Sequence, residues 1–216
     1  MEVAIAGGHG QIALLLGRRL AAEGHAVRGL VRNPDHGDDL HAAGVEPVLC
    51  DLESAADHEV REAVGGAEAI VFAAGAGPGS GAERKQTMDL GGATKLIDAA
   101  KETGIRRYLM ISAMGAGNPQ PPGEGDVFGE YLRAKAAADR ALEQSGLEYT
   151  IVRPGGLTDD PPTGQVELGS GLDRGQIPRA DVAAVLHACL FLPHTIDWTF
   201  DVVSGETPIE EALAAL

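Results

Sequence analysis

The sequence predicts an α/β fold built on a doubly wound parallel sheet with helices on both faces. Three observations carry that expectation. Short apolar runs alternate with segments of helical periodicity along the whole chain, the order that parallel strands joined by right-handed crossovers produce. The runs stop at Gly7, Arg32, Asp51, Gly75, Ser112 and Pro154. Turn-forming and polar residues therefore gather at the carboxyl ends of the strands, the edge where open sheets of this kind bind ligands. The chain has 216 residues, enough for one sizeable core. With no linker and no internal repeat, residues 1–216 read as a single domain.

The elements follow in order. Residues 2–5 are a short apolar run that meets glycines, a buried parallel strand. Residues 11–23 read as a helix, because Ile12, Leu16 and Leu20 recur every fourth residue and Gly24 closes the segment. Residues 26–31 make a second strand that ends at Arg32-Asn33-Pro34. A short helix over 38–43 stops at Gly44, and a third strand over 46–50 ends at Asp51-Leu52. A helix over 57–64 is followed by a fourth strand over 69–74. The segment 75–81, rich in Gly, Pro and Ser, is a loop. Residues 85–103 read as one long helix and 107–112 as a fifth strand. Residues 115–129 hold too much Pro and Gly for regular structure, and 130–145 form a helix. A sixth strand over 149–153 ends at Pro154-Gly155-Gly156. A helix over 180–191, a strand over 199–203 and a helix over 209–216 complete the chain. The two loops and the segment 157–176 are expected to shape a pocket, and residues from about 154 to 216 form a small region on its substrate side.

The net charge of −15 argues against nucleic acid and anionic membrane as partners, since neither attracts such a surface. No run of about 20 apolar residues is present to span a bilayer. The start, Met1-Glu2-Val3-Ala4-Ile5, lacks the basic region of a secretory leader, so a cytoplasmic location is expected. Cys50 and Cys189 lack metal-ligand spacing and read as small buried side chains. No metal site is expected.

The turn Gly7-Gly8-His9-Gly10-Gln11-Ile12 follows a strand and opens a helix. In that context it predicts a dinucleotide site. Gly7 permits the sharp turn, Gly10 lets backbone approach a pyrophosphate, and the helix amino terminus adds free N–H groups and a positive dipole end. His9 borders the phosphates through its backbone or ring. An acid commonly ends the second strand to hold the ribose 2′-hydroxyl. Here Arg32 stands there, a planar fork suited to a 2′-phosphate, so NADP is expected over NAD, with NAD possible. Asp51, with Leu52, borders the adenine or caps the following turn; the sequence favours neither.

Tyr131 and Lys135 lie four apart on one helical face. An ammonium beside a phenol stabilises the phenolate, and a phenol so tuned can pass a proton to or from a substrate oxygen as hydride moves. Ser112, ending the fifth strand, can hydrogen-bond the same oxygen.

These pieces, with Val31-Arg32-Asn33-Pro34, Phe72-Ala73-Ala74-Gly75, Asp89 with Gly92, Ile111-Ser112-Ala113 and Arg153-Pro154-Gly155-Gly156-Leu157, cover nearly the whole chain. Taken together, they resemble the atypical or extended branch of the short-chain dehydrogenase/reductases, the NAD(P)-binding, epimerase/dehydratase-like group. The resemblance implies a Rossmann fold with NAD(P) across its carboxyl edge. It implies Ala73, Ala74 and Gly75 near the adenine ribose and Pro154, Gly155, Gly156 and Leu157 beside the nicotinamide. It also implies Tyr131 as proton donor, Lys135 on the nicotinamide ribose and Ser112 as substrate orienter. The expected function is an NADP(H)-dependent oxidoreductase acting on a small carbonyl or alcohol, as a monomer or homodimer. A compact sugar epimerase or dehydratase-like enzyme, a non-enzymatic NADP(H) redox sensor and a flavin or quinone reductase remain the alternatives.

Overall fold

The computed structural model describes residues 1–77, 79–119, 123 and 126–216. The expected loops over 75–81 and 115–129 therefore lie partly outside the described residues. The elements run β1 (Glu2–Ala6), α1 (Gln11–Ala22), β2 (Ala26–Val31), α2 (Gly37–Ala42), β3 (Glu46–Leu49), α3 (Asp57–Val64) and β4 (Ala69–Phe72). Then come α4 (Ala82–Arg84), a π-helical stretch (Lys85–Gly92), α5 (Ala93–Thr103), β5 (Arg107–Ile111), α6 (Val127–Glu143) and β6 (Glu148–Pro154). The remainder is β7 (Gly156–Thr158), β8 (Gln165–Gly169), β9 (Gln176–Pro178), α7 (Arg179–Phe191), β10 (Trp198–Ser204), β11 (Thr207–Pro208) and α8 (Ile209–Ala214).

The main sheet has the order β11-β8-β10-β6-β5-β4-β1-β2-β3. From β3 to β10 every pairing is parallel. The chain winds outward from β1 to β3, then returns to place β4 on the other side of β1. The carboxyl ends of β1 and β4 therefore flank the switch point where the winding reverses, and a crevice opens there. The inner strands are buried on both faces, as parallel strands under two helical layers must be. Val3 and Ile5 pack with Leu16, Leu20, Val182 and Leu186 of α1 and α7. Ala4 and Ala6, one residue out of phase, face the side of Val60, Leu96 and Leu142 from α3, α5 and α6.

The doubly wound expectation holds, with one correction at an edge. The sheet is not wholly parallel, because β8 pairs antiparallel with both β10 and β11. The segment 157–176, expected to shape the pocket, supplies most of β7, all of β8 and the start of β9. Its staple is Asp181, buried at the start of α7, which accepts bonds from the N–H groups of Thr163 and Gly164 and from the Thr163 hydroxyl. Two helices also differ. The helix expected over 130–145 begins at Val127, because Asp126 caps it by accepting from the Gly129 N–H at 2.8 Å. Residues 127–129 are thus helical, not loop. The helix expected over 85–103 opens with π turns, and Thr94 Oγ1 bonds back to the carbonyls of Leu90 and Gly91 at the joint. No helix among the described residues is long and apolar enough to cross a membrane.

The first turn is wedged between neighbours on both sides. Gly7 has φ +75°, open to glycine at little cost. A Cβ at Gly8 would stand 2.6 Å from the Gly29 Cα of β2, and the Gly8 N–H donates to the Leu30 carbonyl at 3.0 Å. Gly8→Ala should therefore force β1 and β2 apart and cost about 1–3 kcal/mol, the scale of overpacking a tight site. A denaturant midpoint equal to the parent's would contradict this packing.

Candidate functional site

The crevice begins at the α1 amino terminus. Gly10 donates to the Gly7 carbonyl at 2.8 Å, and the first α1 bond runs from the Leu14 N–H to the Gly10 carbonyl. Gly10 caps the helix with no side-chain bond, and the first turn holds no acid. The N–H groups at this end are left for a ligand, and the positive end of the dipole is uncompensated by the protein. A Cβ at Gly10 would come within 3.1 Å of the Gly7 carbonyl oxygen. Backbone and the small Ala13 methyl border this space, which leaves room for a diphosphate to approach the N–H groups. These residues fit a dinucleotide.

Two connected hollows extend from that point. The smaller, about 330 Å³, is lined by Gly7, His9, Gly10, Arg32, Asp51, Leu52, Ala73, Ala74 and Gly75, with His36, Cys50 and Arg84 among others. The larger, about 1630 Å³, takes in Gln11, Ile12, Ser112, Tyr131, Lys135, Pro154, Gly155, Gly156 and Leu157. A pocket for one small ligand measures about 300–1,000 Å³, so the larger hollow has room for part of a cofactor and a second molecule. Of the residues expected to bind cofactor or act in catalysis, Gly8 alone lines neither hollow. It packs on β2, as described above.

The adenine-side residues are partly occupied. His9 Nε2 lies 2.7 Å from Asp39 Oδ2, and its ring stacks on His36 at 3.7 Å between centroids. Asp51 Oδ1 accepts from the Glu53 N–H at 3.1 Å, so its carboxylate caps the turn after β3. Arg32 is more than half exposed and lies 3.9 Å from Glu53. Burial raises the Glu53 carboxyl, but hydrogen bonds from Thr87 and Arg84 and the charges of Arg84 and Arg32 outweigh it, and the net direction is down. Glu53 is chiefly held by Arg84 at 3.0 Å, which leaves Arg32 loosely engaged.

Beneath α6 lies a buried charge network. Lys135 Nζ donates to the Ile111 carbonyl at 3.0 Å and lies 3.4 Å from Asp89 Oδ1. Asp89 is fully buried and takes the Ala76 N–H at 3.3 Å through its other oxygen. Burial lowers the Lys135 ammonium, while Asp89 and Asp139 oppose that fall. On the same helix, Asp139 Oδ2 accepts the Ser112 hydroxyl at 2.9 Å and Arg153 Nε at 2.9 Å, with Arg153 Nη2 also at 2.9 Å. Burial raises the Asp139 carboxyl, against Arg153, Ser112 and Lys135. Lys85 Nζ sits 5.2 Å over the Tyr131 ring and donates to the Gly77 carbonyl at 3.1 Å.

One expectation is reversed. Lys135 does not lower Tyr131. Burial, then the carboxylates of Asp89 and Asp139, push the phenol well above its ordinary range, because the ammonium is spent on Asp89 and Ile111. The structure brings Tyr131, Lys135 and Ser112 to one cavity with Asp89, Arg153 and Lys85, and sets Asp139 behind Ser112 and Arg153; none of these four carried an expected role. Asp139 had a signal: it follows Tyr131 and Lys135 at spacings of eight and four on the same helical face.

Comparison with known proteins gives concordant findings. The NAD(P)H-binding family matches residues 7–193. The chain is 42% identical over 221 residues to the uncharacterized sugar epimerase YhfK of Bacillus subtilis, covering all of both chains. It also resembles a Bacillus halodurans protein provisionally described as an NAD-dependent epimerase/dehydratase, with TM-score 0.92 and 38% identity over the whole of each chain. The oxidoreductase ylbE of Lactococcus lactis matches with TM-score 0.86 and 25% identity, over all of this chain and 96% of that one.

All three tyrosines are raised. Tyr108 is fully buried, and Tyr149 is lifted by burial and by Glu143 and Asp197. Ordinary phenols are half ionised near pH 10. The native protein should therefore show less than half its phenolate absorbance at pH 10, and unfolding at that pH should release the rest. Half-ionisation of the native protein at pH 10 would contradict the site's electrostatics.

Proposed function

The chain belongs to the NAD(P)H-binding family, and from that premise we propose that it is an NADP(H)-dependent oxidoreductase acting on a small carbonyl or alcohol. The observation that carries this reading is one cavity that joins the α1 amino terminus to Tyr131, Lys135 and Ser112. The cofactor, when bound, supplies or takes the hydride at its nicotinamide ring.

The protein's own groups do the rest. The N–H groups after Gly10 hold the diphosphate, and Arg32 holds a 2′-phosphate. Tyr131, kept protonated by its surroundings, gives its hydroxyl proton to the carbonyl oxygen in the reduction direction and recovers one from solvent. Lys135, fixed by Asp89 and the Ile111 carbonyl, turns its remaining donor to the ribose hydroxyls. Ser112 gives its only proton to Asp139, so it presents lone pairs to the cavity. It is thus set to accept from the hydroxyl of an alcohol or of Tyr131.

A compact epimerase, in which hydride leaves a substrate carbon and returns to it, would use the same residues; the B. subtilis relative's name favours that second reading. Net consumption of NADPH separates reduction from epimerisation. The protein should bind NADPH at least tenfold more tightly than NADH in a fluorescence titration, and Arg32→Ala should remove most of that difference. Tyr131→Phe should lower kcat by about 10²–10⁴, the usual worth of a positioned acid. Equal affinities for the two cofactors would sink the NADP assignment. Unchanged turnover in Tyr131→Phe would sink the proton role and favour flavin or quinone reduction.

A further inference from the structure

The larger cavity inverts the charge balance of the chain. The whole sequence carries 17 Lys and Arg against 32 Asp and Glu. Among the described residues, the cavity is lined by Lys85, Lys135, Arg153, Arg174 and Arg179 against Asp89 and Asp201. Several of these charges are already engaged. Lys135 is committed to Asp89, and Arg179 pairs with Asp159 at 2.8 Å. Asp201 accepts the Gly171 N–H at 2.9 Å.

Arg153, held by an acid along one edge only, and Lys85, which meets no acid among the described residues, differ from these. Arg153 bonds Asp139 through Nε and Nη2. Its Nη1 lies beside Gly117, where a Cβ would stand 2.8 Å away, and Gly117 also lines the cavity. Asp139 thus grips one edge of the guanidinium and leaves donors of the planar fork toward the hollow, an arrangement that reads carboxylate or phosphate oxygens. Lys85 is only 8% exposed. Among the described residues no carboxylate lies within ion-pair distance of it, and its neighbours are the Gly77 carbonyl and the Tyr131 ring. A buried cation without an acid is costly unless something satisfies it.

Both cations flank the reacting groups. Ser112 Oγ and Arg153 Nε share one oxygen of Asp139, each at 2.9 Å, so they can be no further apart than twice that distance. Lys85 stands over Tyr131. We propose that the substrate carries an anionic group, a carboxylate or a phosphate, within a few bonds of its reacting carbon, and that Arg153 binds this group while Lys85 adds charge. The inference rests on the oxidoreductase reading for its reacting carbon, but the anion site itself does not require turnover. The overall field of a chain at −15 repels anions, so an anion preference must come from local donors.

The test is a calorimetric titration of protein loaded with NADP⁺, in which no reduction occurs. One probe pair is benzoylformate and its methyl ester, which share a ketone and a ring and differ in charge. The other is dihydroxyacetone phosphate and dihydroxyacetone. At least one anion should bind tenfold or more tightly than its neutral twin, and which pair shows the preference tells carboxylate from phosphate. Arg153→Gln should abolish the preference with NADP⁺ affinity unchanged. Where that variant fails to fold, Arg153→Lys, which keeps a cation on Asp139 without the planar fork, should reduce the preference severalfold. Equal binding of both twins, binding of neither anion, or a preference that survives the Arg153 substitution overturns the inference. Protein that takes no NADP⁺ is titrated unloaded; an anion preference there keeps this inference and sinks the cofactor reading.

Discussion

The structure depends on how closely its first strand-to-helix turn can approach the two strands beside it. Gly8 lies against Gly29 of β2, and a Cβ at Gly7 would stand 2.7 Å from the Ala74 Cα just past β4. Side chains at these positions would push the turn off the sheet. With glycine there, the amino terminus of α1 is held at the switch point between β1 and β4, with its N–H groups facing the crevice. The position of the small hollow, of Arg32 at the end of β2 and of the larger cavity beyond β4 all follow from that placement.

The second constraint is electrostatic. Asp89, Lys135 and Asp139 are buried, and Arg153 is nearly so. Burying such groups is costly, and a buried pair adds little net stability. Removing one partner from a pair of this kind costs about 3–5 kcal/mol, because the other is left uncompensated. The α6 network is therefore better understood as a device for orientation. Asp89 and the Ile111 carbonyl fix Lys135, while Asp139 fixes Ser112 and Arg153 together. Burial, and then these carboxylates, hold Tyr131 in its protonated form, the form the proposed reduction needs.

The architecture was legible in the sequence because the signals that make it are local. Alternation of apolar runs with helical periodicity, and stops at Gly7, Gly24 and Gly44, depend on neighbours in the chain. The antiparallel edge was harder to see. Val166 is the only fully buried residue of β8, and β7 and β9 span three residues each; such strands are set by partners distant in sequence. The start of α6 was obscured by the Pro and Gly before it, although Asp126 is a recognisable cap. The candidate site divides the same way. Tyr131 and Lys135 were found by their spacing, but the partners that decide their charge were not. Asp89 comes from another helical segment, so only the fold brings it to Lys135, and Arg153, which holds Asp139, comes from another strand.

The central claim is that one cavity seats the dinucleotide's diphosphate on the first turn and presents its nicotinamide to Tyr131 and Ser112. A crystal structure of the NADP⁺ complex tests it most directly. The account predicts diphosphate oxygens within hydrogen-bond reach of the Gln11 and Ile12 N–H groups, with the nicotinamide in the larger cavity facing Tyr131 and Ser112. A diphosphate bound elsewhere, or a nicotinamide turned out of that cavity, would contradict it.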